Sequence, residues 1–108
     1  MSKIKPLWRP SPASVADANL TGFIRQVGAT EPSVCDYDSL YTWSVNNSDQ
    51  FWSAFWVFSN ILSSRKWDSV VTDPSAMPGA KWFPGARLNF AENLLKFRDD
   101  RVALVSAA

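Results

Sequence analysis

No histidine occurs in this sequence of 108 residues, and cysteine occurs once, at Cys35. The first absence removes the commonest general base, proton shuttle and transition-metal ligand. The second excludes an intrachain disulfide, a zinc knuckle and a Cys–His dyad, and a lone thiol points to a reducing compartment. Glycine stands only at positions 22, 28, 79 and 85, so neither a Walker loop nor a dinucleotide-binding fingerprint can be drawn through the chain. Charge of neither sign dominates: eleven basic residues against ten acidic ones leave +1, without the footprint of a nucleic-acid or anionic-membrane binder. Long apolar runs are missing too. The longest, Ala54–Phe58, falls far short of the ~20 residues that span a bilayer, and the Met-Ser-Lys-Ile-Lys-Pro start lacks the apolar segment of a signal peptide. These absences predict a cytoplasmic protein with neither a nucleic-acid nor a membrane partner.

What the chain does hold is aromatic bulk: seven Phe, six Trp and two Tyr. The pattern predicts a mainly α fold, a small four-helix domain with an extended Pro-rich arm and a short C-terminal strand. Three stretches follow: an arm over residues 1–11, a helical domain over 12–98, and over 99–108 the start of a further domain. Pro6, Pro10 and Pro12 keep the arm extended, and Trp8 is expected to pin it to something apolar. Ser11 followed by Pro12 starts a first helix, whose face Ala16, Leu20, Phe23, Ile24 and Val27 runs to the stop at Gly28.

Asp36 or Asp38 caps a second helix, with Tyr37, Leu40, Tyr41 and Val45 as its buried face. Asn46-Asn47 breaks it, and Ser48 caps a third helix from Asp49 to about Leu62. There Ile61, Ala54, Phe58, Phe51, Leu62 and Phe55 fill about half the circumference at ~100° per residue, and Trp52 and Trp56 extend the arc. That is wider than the stripe of an amphipathic surface helix and predicts cover from more than one side. Trp67–Val71 is a helix end or a strand. Two near-identical turns follow, Pro78-Gly79-Ala80-Lys81 and Pro84-Gly85-Ala86-Arg87, of the type II form that Pro-Gly favours. Asn89 with Glu92 caps a fourth helix, on which Phe90, Leu94 and Phe97 form one row. Val102–Val105 reads as a strand buried on both faces, with no sheet of its own to join.

Little of this is catalytic. Lys81 and Arg87 beside the twin turns could hold an anion, though turns that route an extended segment explain them better. Asp36 with Asp38 and Asp99 with Asp100 read as caps and solvated surface, and Cys35 as an idle or buried thiol without a cation to activate it. No catalytic, cofactor-binding or metal-binding residue is assigned. Trp52 and Trp56 suit a protein surface better than a sugar or nucleotide, having no basic groove beside them.

At Lys81-Trp82-Phe83-Pro84-Gly85-Ala86-Arg87-Leu88-Asn89-Phe90-Ala91-Glu92-Asn93-Leu94-Leu95 the chain resembles the N-terminal region of the AMP-forming acyl-CoA synthetases, in the acetoacetyl branch. Leu7–Pro12, Asn19–Thr21, Tyr37–Val45 and Phe51–Trp56 agree, so the likeness covers nearly the whole sequence. The resemblance implies a parent ligase that activates acetoacetate with ATP, assisted by Mg²⁺, and passes the acyl group to CoA. It also implies that the catalytic motifs lie outside this chain, which would carry no cofactor of its own. The partner implied is the adenylation domain of the same enzyme, met through Trp52, Trp56, Trp82 and Phe83. The alternative is a free-standing helical module that binds a partner or a second copy of itself, and a sugar or small-ligand binder is the weakest reading.

Overall fold

The computed structural model describes residues 4–107. Residues 1–3 of the expected arm and Ala108 of the expected C-terminal segment lie outside them. The chain is mainly helical, as its periodicity predicts. It divides into two units between Ser59 and Asn60.

The first unit holds four helices. In α1 (Pro12–Asp17), Pro12 occupies the first turn and the Ser14 amide donates to Ser11 Oγ at 3.1 Å. The expected continuous helix from Pro12 to Gly28 does not form, because Ala18 is extended (ψ 140°) and α2 begins anew at Asn19–Gly28. Thr21 explains the break: its hydroxyl donates to the Val15 carbonyl, which a continuing helix would have used. The Ala18 carbonyl then accepts from the amides of Thr21 and Gly22. The described residues therefore form five helices in place of four.

Helix α3 (Tyr37–Asn46) is capped by Asp36, not Asp38. The Ser39 amide donates to Asp36 Oδ1 at 2.8 Å, and Ser39 Oγ accepts from the Asp36 amide at 3.0 Å, a reciprocal box. Helix α4 (Ser48–Phe58) follows after one residue, Asn47, which takes the capping position expected of Ser48. The Asn47 amide closes α3 on the Trp43 carbonyl, and the Asn47 carbonyl opens α4 by accepting from Phe51. Helix α4 stops at Phe58, short of Leu62, where Asn60 takes φ +51°.

Among the described residues Phe23, Val27, Val34 and Leu40 form the buried core, and Ile24, Trp43, Phe51, Ala54 and Phe58 pack against them. Phe23 is the hub, with its ring centroid 5.7, 5.8 and 5.1 Å from those of Phe51, Phe55 and Phe58. Of the expected α3 face only Leu40 is buried; Tyr37, Tyr41 and Val45 are exposed, because α4 takes the Leu40–Trp43 side and leaves them uncovered. A Cβ on Gly28 would stand 2.7 Å from the Val34 carbonyl. The bare glycine thus lets the loop after α2 fold close enough to seat Val34.

The second unit is built on a narrow antiparallel ladder. Strands β1 (Val71–Thr72) and β2 (Lys81–Trp82) pair Val71 with Trp82 and Thr72 with Lys81. Backbone bonds extend the pairing: Phe83 donates to Val70 at 2.7 Å, Asp68 to Pro84 at 2.9 Å, and Arg87 to Arg65 at 3.0 Å. Trp67–Val71 is therefore one side of a ladder. The second Pro-Gly turn has the expected form, with Ala86 donating to Phe83 at 3.1 Å and Gly85 at φ +82°. The first differs: its Met77–Pro78 peptide is cis and Gly79 takes φ +130°.

Helix α5 (Phe90–Leu94) is short and capped by Asn89 Oδ1, which accepts from the Glu92 amide at 3.1 Å. Val102–Val105 forms no ladder and its large side chains are exposed. A strand meant to be buried on both faces cannot be completed by a two-stranded ladder alone.

Candidate functional site

The residues expected to meet a partner fall in both units. In the first, Trp52 on α4 is about two-fifths exposed and lies edge-on to Phe51 and Phe55, at 5.1 and 6.0 Å. Trp56, one turn on, is half-buried. In the second, Trp82 on β2 is also about two-fifths exposed, and Phe83 packs edge-on against Trp67 at 5.3 Å. Phe55, expected in the core arc, is partly exposed at its rim.

Helix periodicity alone did not reveal where the apolar exposure is greatest. On α3, Tyr37 and Tyr41 stack at 6.5 Å and continue into Val45, an uncovered row. On α5 and just beyond it, Phe90, Leu94, Leu95 and Phe97 are all strongly exposed, and so are Trp8 and Leu7 in the arm. The chain exposes 9345 Å². A folded monomer of 12.1 kDa exposes about 6,000 Å², and two separately folded halves about 7,300 Å². The extended residues 4–11 and 99–107, exposed throughout, contribute to the surplus.

Chemistry at a reacting centre is poorly provided for. An open groove of about 550 Å³ runs along α3, lined by Ser33, Asp36, Asp38, Thr42, Trp43 and Asn47. Its best-placed groups are already engaged: Asp36 and Ser39 hold each other at 2.5 Å in the helix cap. Hydrogen bonds from the Ser39 hydroxyl and amide keep the Asp36 carboxyl below its usual range, which suits a cap and not a proton carrier. Cys35 is exposed, so of the two expected alternatives, a buried or an idle thiol, it is not the buried one. Asp99 is held low by Arg101, whose Nε donates to Oδ1 at 2.9 Å and whose Nη2 donates to Oδ2 at 2.6 Å. Among the described residues, no three Cys, Asp or Glu side chains are grouped to hold a metal ion, and no helix is long and apolar enough to cross a membrane.

The second Pro-Gly turn does not open onto an anion. Arg65 spans it, donating to the Gly85 carbonyl at 2.9 Å and to Asp68 at 2.7 Å, and the Asp68 carboxylate sits where a Cβ on Gly85 would be. A carboxylate of the chain's own already fills the place an anionic ligand would take. Asn93 was likewise not singled out. Its side-chain amide makes a two-way clamp on Leu62, accepting from the amide and donating to the carbonyl at 2.8 Å each, and donates also to Asn89. An Asn three residues into a capped helix carries no sequence sign of a partner 31 residues away.

The described residues thus hold an aromatic helical platform in one unit, and a pinned Pro-Gly ladder with a short capped helix in the other. Residues 37–94 match the family described as the acetyl-coenzyme A synthetase N-terminus, and the chain belongs to that family. It is 43% identical over 104 residues to the acetoacetyl-CoA synthetase of Rattus norvegicus and 41% identical over the same length to that of Gallus gallus. Each match covers 94% of this chain and 15% of the relative. The solved acetoacetyl-CoA synthetase from Streptomyces lividans is similar in structure, with a TM-score of 0.70 and 40% identity, covering 82% of this chain and 14% of that one. The chain thus spans about one-seventh of the length of the relatives it matches.

Proposed function

We propose that this chain serves as the N-terminal domain of an acetoacetyl-CoA synthetase, the enzyme that converts acetoacetate, ATP and CoA to acetoacetyl-CoA, AMP and diphosphate. The observation that carries this reading is the 41–43% identity to acetoacetyl-CoA synthetases over 94% of the chain. Its own contribution is physical. The helices brace and cover the adenylating body, with Trp52, Trp56, Trp82 and Phe83 among the contacts. ATP, Mg²⁺ and CoA are assigned to that body, a reading supported by the Asp68 carboxylate that fills the Gly85 turn. No reaction step is assigned to this chain. The lone thiol suits the reducing cytoplasm.

The test has two arms. The chain alone, given ATP, Mg²⁺, acetoacetate and CoA, is expected to release no AMP. Substituted for the matched 104 residues of the rat enzyme, it is expected to support acetoacetyl-CoA formation. AMP release by the chain alone overturns the non-catalytic role, and an inactive chimera beside an active rat control overturns the assignment to this enzyme. The exposed Tyr37–Tyr41–Val45 row favours a second reading, a self-associating module. Sedimentation of the chain as a stable dimer would support it.

A further inference from the structure

We draw no further inference here: the strongest candidate, the open groove along α3 lined by Asp36, Asp38, Thr42 and Trp43, carries nothing, because its two carboxylates are an acidic pair at a helix N-terminus and nothing among the described residues shows what occupies it.

Discussion

Replacing Phe23 by Ala tests the account of the first unit most directly. Phe23 is 4% exposed and touches three other rings, so its removal forfeits buried area and leaves a cavity that α2 and α4 cannot close without breaking their own turns. Such a truncation costs about 3–5 kcal/mol, and each lost ring pair adds a further fraction of about 0.5–1.5 kcal/mol. A body of about sixty residues is stable by only about 3–9 kcal/mol, so Phe23→Ala is expected to unfold most of the first unit. Phe55, at 39% exposure, is the matched control. It shares the aromatic cluster but keeps one side in water, and Phe55→Ala should cost about 1–2 kcal/mol. Urea titration followed by far-UV circular dichroism reads both, with Phe23→Leu, expected to lose about 1–2 kcal/mol, as a variant that still folds. Equal losses for Phe23→Ala and Phe55→Ala would refute the placement of the hub at Phe23.

Four further outcomes follow from the geometry. Gly28→Ala should destabilise by about 1–3 kcal/mol through the clash with the Val34 carbonyl, whereas Gly22→Ala, whose Cβ would meet Phe58 at an ordinary 3.7 Å, should gain about 0.5–1 kcal/mol of helix propensity; thermal melts of both variants check the contrast. Gly85→Ala should lose at least about 1–2 kcal/mol from the positive φ alone and should also displace Asp68, read as fraying of the 65–87 pairing by amide exchange. Asn93→Ala removes three hydrogen bonds, costs about 2 kcal/mol, and should speed exchange of the Leu62 amide. The Asp36 carboxyl is held below its usual value in the folded chain, so its stabilisation is present above about pH 4 and is lost as pH falls through the lowered folded value. Asp36→Asn keeps a capping oxygen and should flatten that part of the acid limb, and an unchanged acid limb would count against the cap.

Local chemistry was legible residue by residue. Ser11, Asp36 and Asn89 are caps because a short polar side chain ahead of an apolar period has few other uses, and Pro84-Gly85 fixes its own turn. What the sequence did not disclose depends on groups distant along the chain. Tyr37, Tyr41 and Val45 share a helical face with Leu40 closely enough for periodicity to group them, but α4 covers only one edge of that face. Thr21 breaks the first helix through a hydroxyl bond to Val15, whereas threonine inside a helix is ordinarily unremarkable. Cys35 and the Arg65–Asp68 bracket around Gly85 are of the same kind, set by where a loop or turn comes to rest.

The same limit governs how the docking surface is read. An apolar stripe states that a face will be covered, not which neighbour covers it, and the expectation built on Trp52, Trp56, Trp82 and Phe83 weighed each ring by size alone. Coordinates add the direction of the polar side. On α4 the partly exposed Trp52 lies against Phe51 and Phe55, so its cover is shared with the core of its own unit. On α5 the Asn93 amide is spent on Leu62, so hydrogen bonds rather than burial of an apolar stripe fix where the helix lies, and Phe90 and Leu94 stay largely in solvent.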